Sequence, residues 1–223
     1  MSASTFQPWA VLPVKNIGNA KQRLAEVLPQ SHRSALFAAM LRDVLSALRS
    51  AKLLAGTVMV TQDAQAQALA GEFGAEVALE PANDGHTAAV TRGGEYLLAH
   101  KRHAMLALPG DIPLLTGQEV DQLIESLRAA PALSIAPSAD EFGSNGVLVA
   151  PPNLFAFAFG DDSFRPHLQR ARAAGADAQI LRMPGFALDV DQPEDLKRFA
   201  STESTTHAYQ YLRDHELLGR LLN

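Results

Sequence analysis

Short apolar runs alternate along the chain with longer segments whose apolar positions recur every three or four residues. Trp9 to Val14, Thr57 to Thr61, Glu76 to Leu79, Met105 to Leu108, Leu133 to Ala136 and Val147 to Ala150 read as strands. Between them, Ser31 to Arg49 carries Leu36, Met40, Leu41, Val44, Leu45 and Leu48 on one helical face, and Gln65 to Phe73 and Thr87 to His100 repeat the pattern more weakly. Thr116 followed by Glu119 makes a capping box, with Leu115 and Val120 placed to staple across it, so a helix is expected from about Gly117 to Ala129. This alternation predicts an α/β fold, a mostly parallel mixed sheet flanked by helices, whose ligands gather beyond the carboxyl ends of the strands. One domain is expected over residues 1–200. Residues 201–223 begin polar and end with Leu217, Leu218, Leu221 and Leu222, which suggests a loop and a docking helix with a role in a homodimer.

Composition narrows the class. A 47% hydrophobic content over 223 residues suffices for a continuous core. The net charge of −5, with 19 dispersed Lys and Arg, argues against a nucleic-acid partner. The absence of cysteine excludes disulfides and thiolate chemistry. Met1-Ser2-Ala3-Ser4-Thr5 shows no signal peptide, and no apolar run approaches the ~20 residues needed to span a bilayer, so a cytoplasmic protein without a membrane partner is expected.

Candidate chemistry begins with carboxylates at strand ends. Asp111 lies in Leu108-Pro109-Gly110-Asp111-Ile112-Pro113, and Asp189 and Asp191 lie in Leu188-Asp189-Val190-Asp191. Separated by one residue, Asp189 and Asp191 leave an extended segment on the same face, and Asp111 would complete a three-carboxylate site for a hard cation. Asp191 could instead cap a helix through Pro193 and Glu194, and Asp111 could be a turn former. After the strand Trp9-Ala10-Val11-Leu12-Pro13-Val14 come Lys15, Lys21 and Arg23, with a helix start expected near Asn19 or Ala20. Three cations near a helix terminus favour a polyphosphate, although Lys21 and Arg23 could equally be the solvated face of a short helix. In Phe159-Gly160-Asp161-Asp162-Ser163-Phe164, Ser163 opens an expected helix from Phe164 to Ala174, and its hydroxyl with nearby backbone N–H groups suits an anion. The simpler reading is that Asp162 or Ser163 caps that helix, with Arg165 and His167 on its surface and without chemistry.

The ordered set Leu12-Pro13-Val14-Lys15, Ala20-Lys21-Gln22-Arg23-Leu24, Leu108 to Leu115, Gly143-Ser144-Asn145 and Ala187 to Leu196 resembles the 2-phospho-L-lactate or phosphoenolpyruvate guanylyltransferases of coenzyme F420 biosynthesis. The resemblance covers about residues 9 to 199. It implies a Rossmann-like nucleotidyltransferase (nucleotide-diphospho-sugar transferase) fold, GTP as co-substrate, Mg²⁺, and a small phosphorylated carboxylic acid as acceptor. It implies metal ligation by Asp111, Asp189 and Asp191, and triphosphate binding by Lys15, Lys21 and Arg23. Leu12, Pro13, Val14, Glu80, Thr87 and Pro109 fall at nucleotide-binding positions, Glu80 facing guanine, and Ser144, Asn145, Gly160 and Ser163 at the acceptor pocket. One departure stands out. The family's Gly-Leu-Asn appears here as Gly85-His86-Thr87, so a hydroxyl replaces an amide, and His86 could contact the nucleotide or acceptor but reads first as a loop histidine on the surface. Two alternatives remain at this level: a metal-dependent nucleotide-sugar glycosyltransferase and a non-catalytic nucleotide-binding protein.

Overall fold

The computed structural model describes residues 7–79 and 84–222. Among them, seven strands form one sheet: β1 (Trp9–Pro13), β2 (Gly56–Val60), β3 (Glu76–Ala78), β4 (Met105–Ala107), β5 (Ala132–Pro137), β6 (Ser144–Ala150) and β7 (Asp177–Ile180), in the order β3-β2-β1-β4-β6-β5-β7. β1 pairs in parallel with β2 and β4, β2 with β3, and β5 with β7, whereas β6 runs antiparallel to both of its neighbours. Because β6 is reversed, its first residues, Ser144 and Asn145, lie at the edge where β4 and β5 end. β7 has no apolar run to announce it; it is an edge strand with exposed ends and a half-buried middle, held by parallel pairing with Ala132 to Ile135.

The sheet is covered on both faces, which is why its strands read as unbroken apolar runs. Leu12, Met59, Leu106 and Leu148 point into one core with α1 (Gln30–Ser50), α2 (Ala64–Phe73) and α4 (Gly117–Glu125). Val11, Val58, Met105 and Val147 point the other way, beneath α3 (His86–Ala99) and α5 (Phe164–Ala173). Gly93 permits that second contact: a Cβ there would sit inside the Val11 side chain, so α3 packs with its backbone almost on β1. The capping box at Thr116 and Glu119 is present. The helix ends at Glu125, short of the expected Ala129, where the Ser126 hydroxyl donates to Leu123 O at 2.7 Å and pairs with Ser134 Oγ at 2.8 Å.

After the single-turn α6 (Pro184–Ala187) and α7 (Pro193–Ala200), the chain closes with two short helices, α8 (His207–Asp214) and α9 (Leu217–Leu222), where one was expected. Buried Asp43 on α1 accepts the backbone N–H groups of His207 at 2.6 Å and Ala208 at 2.9 Å, anchoring the start of α8. Ala208, Leu212 and Leu217 then pack with Leu36, Met40, Leu196 and Phe199 in a third cluster. Of the four leucines that suggested a homodimer face, Leu217 is buried, Leu218 and Leu221 are half-buried against this cluster, and Leu222 is exposed. No described helix is long and apolar enough to cross a membrane.

Candidate active site

Two loops at the carboxyl edge of the sheet are tied by one backbone bond: Val190 N–H donates to Asp111 O at 2.9 Å. Val190 itself is fully buried in the third cluster, so its neighbours Asp189 and Asp191 are turned away from that core and into the same cavity as Asp111. Into this group reaches Lys21. Its ammonium donates to Asp111 Oδ2 through a short contact and lies 3.5 Å from Asp191 Oδ1. Arg23 donates to Asp191 Oδ2 at 2.7 Å.

Lys21 occupies the left-handed region (φ 57°) just before a 3₁₀ turn over Gln22–Leu24. No α-helix begins near Asn19 or Ala20, so the expected helix terminus for phosphates is absent from this segment. A left-handed lysine costs about 1 kcal/mol. Burial pulls the Lys21 ammonium down, but Asp111 and Asp191 outweigh it and hold its pKa above the ordinary value. Asp189 is shifted in the unfavourable direction. Burial, then the Asp111 charge, raise its pKa, while Asn145 opposes the shift. Asn145 spends both amide hydrogens in this way, donating to Asp189 Oδ1 at 2.9 Å and to Phe186 O at 2.8 Å.

The opposite wall is made of neutral groups. Ser144 and Ser163 are buried at 6% and 2% exposure, yet both line the cavity. Ser163 precedes α5 but makes no side-chain cap. The backbone N–H groups of Ser163 and Phe164 are taken by Phe142 O at 2.8 and 2.9 Å, so they are not free for an anion as the sequence suggested; the Ser163 hydroxyl makes no hydrogen bond among the described residues. A Cβ at Gly160 would meet no atom of the described residues within 4 Å, so none of them requires glycine there. Behind this wall lies His167, which is completely buried rather than on the surface of its helix. Burial, with Arg170 adding to it, lowers its pKa to about 4.

The cavity has a volume of about 610 Å³ and gathers Lys15, Lys21, Arg23, Pro109, Asp111, Ser144, Asn145, Gly160, Ser163, Asp189 and Asp191 from the sequence reading. Pro13 lines an adjoining cavity of about 450 Å³ that shares Lys15, Lys21 and Asp111. Lys15 is exposed and makes no ion pair among the described residues. Leu12 and Val14 are core residues at 0% and 1% exposure, and their side chains do not reach either cavity. Thr87 does not line either cavity. Its hydroxyl accepts the Phe159 N–H at 3.1 Å, with Phe159 O at 3.3 Å, and so ties α3 to the loop before α5. Its neighbour His86, expected on the surface, is half-buried on the cavity wall, edge-on to Phe159 with ring centroids 4.8 Å apart. Burial lowers its pKa, the Asp111 charge raises it and Lys15 lowers it. Glu80 lies outside the described residues. Asp191 does not cap α7; Gln192 does, with Asp195 completing the box. His86 and His167 read from the sequence as surface residues because a histidine in a polar stretch carries no periodic signal of burial.

As placed, no three His, Cys, Asp or Glu among the described residues enclose a metal ion. The donor chemistry nevertheless fits a hard divalent cation. Asp111 Oδ1 is buried without a partner, and Asp189 has one oxygen bonded to Asn145 and the other without a hydrogen bond among the described residues. One or two carboxylates, completed by phosphates and water, is the usual protein share of a magnesium site.

Comparison with known proteins places these features in a family. The sequence model of a family described as guanylyl transferase CofC like matches residues 9–218. A phosphoenolpyruvate guanylyltransferase of Rubrobacter xylanophilus is 37% identical over 87% of this chain and 94% of its own length. One of Conexibacter woesei is 38% identical over 86% of each. A 3-phospho-D-glycerate guanylyltransferase of Colwellia psychrerythraea is 30% identical over 87% of this chain and 91% of its own. In fold, the chain is similar to a putative nucleotide-diphospho-sugar transferase of Desulfovibrio desulfuricans, with a TM-score of 0.77 at 20% identity, covering 97% of this chain and 98% of that one.

Proposed function

Because the chain belongs to the CofC-like guanylyl transferase family, and is thus a nucleotidyltransferase, we propose that it transfers GMP from GTP to the phosphate of a small phosphorylated carboxylic acid and releases pyrophosphate. The observation that carries this reading is the convergence of Asp111, Asp189 and Asp191 with Lys21 in one cavity whose other wall presents Ser144, Gly160 and Ser163. The acceptors it suits are 2-phospho-L-lactate, phosphoenolpyruvate and 3-phosphoglycerate, and the place in metabolism is coenzyme F420 biosynthesis. The names of the relatives in Rubrobacter and Colwellia support the second and third acids.

The reaction joins an acceptor phosphate oxygen to the α-phosphorus of GTP and breaks the bond from that phosphorus to the oxygen bridging to the β-phosphate; pyrophosphate leaves with the electron pair. No general base is needed, because a phosphate monoester loses its second proton at about pH 6. The protein's task is to hold two anions together and neutralise the charge that gathers between them. Lys15 stands exposed at the cavity wall and Lys21 is held by Asp111 and Asp191, so each supplies a positive charge to the triphosphate. Arg23 offers a fork for phosphate oxygens from its seat on Asp191. Ser144 and Ser163 give hydroxyls to the carboxylate or phosphate of the acid. Asp111 and Asp189, with Asp191 beside them, would hold Mg²⁺, which supplies charge neutralisation at the phosphoryl oxygens.

The test is pyrophosphate release from GTP and Mg²⁺ by the purified chain with each of the three acids in turn, with ATP and Asp189→Asn as controls. Release that requires GTP, one acid and Asp189 is expected. Absence of release with every acid, from folded protein, overturns the reading.

A further inference from the structure

His167 sits directly behind the acceptor wall, and its two ring nitrogens are both occupied by the chain. Nε2 receives the backbone N–H of Ala158 at 3.1 Å, and Nδ1 lies 3.1 Å from Ser144 Oγ. A backbone N–H can only donate, so Nε2 must present its lone pair, and the proton of the neutral ring is therefore on Nδ1. Facing that proton, the Ser144 oxygen can only accept. The hydroxyl's own hydrogen is then left to be donated elsewhere, and Ser144 lines the cavity beside Gly160 and Ser163. The ring is kept in this state by its surroundings: it is fully buried, and Phe155, Phe157 and Phe159 enclose it at centroid distances of 5.6, 6.1 and 4.8 Å.

We infer that His167 is a positioning residue that turns Ser144 into an obligate hydrogen-bond donor toward an anionic oxygen of the acceptor. The inference rests on the guanylyltransferase reading and deepens it, because it states what the acceptor must present at that point. A carboxylate or phosphate oxygen accepts whatever is offered, whereas a group that can only donate is refused. The same ring also holds Ala158, two residues before Gly160, so the hydroxyl and the loop are set together.

Steady-state kinetics on two amide variants separate the two bonds. His167→Gln places its amide where Nε2 was, keeping a partner for Ala158 and losing the donor to Ser144. His167→Asn places an N–H where Nδ1 was, keeping the donor to Ser144 and losing Ala158. With GTP, Mg²⁺ and the acid that the unmodified protein turns over, His167→Gln is expected to raise the acceptor KM about tenfold while the GTP KM stays within about twofold, and His167→Asn to keep the acceptor KM within about threefold. Ser144→Ala should match His167→Gln, and the double variant should be no worse than either alone, since both remove one interaction. Equal acceptor KM values in all variants, losses that add in the double variant, or a loss confined to His167→Asn overturn the inference. Should the His167 variants fail to fold, an unchanged acceptor KM in Ser144→Ala overturns it alone. If the unmodified protein turns over none of the three acids, the guanylyltransferase reading falls and takes this inference with it; if it turns one over and His167→Gln behaves the same, only the inference falls.

Discussion

The two walls of the cavity use different means to do comparable work. On one, Lys21 and Arg23 are paired with Asp111 and Asp191, and Asp189 is kept in a buried setting that favours its neutral form. On the other, Ser144, Ser163 and His167 carry no net charge; Ala158 N–H fixes His167, His167 in turn faces Ser144, and both polar atoms of Phe159 hold Thr87. The first wall suits a triphosphate, whose charge must be met by charge. The second suits selection among small acids, where the direction of a hydroxyl matters more than field strength. A protein that strengthens the first wall with further buried charge loses stability, while the second adds specificity at little electrostatic cost.

The largest expected break in this comparison is Asp189→Asn. Turnover should fall at least about 100-fold, measured as pyrophosphate release. The melting temperature should hold or rise, because the raised pKa of Asp189 means that its charge opposes folding at neutral pH.

A second prediction concerns how the two walls titrate. The His167 pKa is depressed from 6.5 to about 4, so its contribution to stability is whole above the unfolded value and is lost as the pH falls toward 4, a loss of about 3 kcal/mol. Asp189 has the opposite sign: raised above 3.8, it favours the folded state below that value and ceases to as the pH rises through its folded pKa. Denaturant unfolding from pH 7 to pH 4 should therefore show a decline that His167→Asn flattens and Asp189→Asn does not. An identical decline in both variants would break the assignment.

Asn145→Ala removes the support of Asp189 without touching a charge. The expected loss is about 10- to 100-fold in kcat, comparable to removing the outer partner of a metal-binding carboxylate, with the acceptor KM little changed. Smallest is Thr87→Val, which unties Phe159 from α3; about a fivefold rise in acceptor KM, read alongside an unchanged GTP KM, would assign Thr87 to the acceptor wall and not to the nucleotide.

The charges of the first wall were readable in the chain; on the second, the resemblance named Ser144, Asn145, Gly160 and Ser163 but not the groups that hold them. Lys15, Lys21, Arg23, Asp111, Asp189 and Asp191 are charges next to buried strands, and a charge in such a place needs a partner or a ligand, so its residue type alone is informative. Thr87, Asn145 and His167 are neutral, and their roles depend on what they face. The resemblance puts Thr87 at a nucleotide-binding position, yet its hydroxyl is spent on the loop before α5. His167 looked like one more polar residue on the face of α5 because periodicity cannot tell a buried polar position from an exposed one.

Local pattern determined the strands from Trp9 to Ala150, the long α1, the capping box of α4 and the paired direction of Asp189 and Asp191, since each depends only on side-chain alternation or on residues within a few positions of one another. Tertiary structure decided the reversal of β6, which brings Ser144 and Asn145 to the ligand edge, the left-handed turn that sends Lys21 under Asp111, and the pairing of β7 with β5. It also decided the proton on His167. That proton is assigned by Ala158 N–H nine residues earlier and used by Ser144 a further fourteen back, and only folding brings the three together, because their hydrogen bonds have no spacing that a sequence could display.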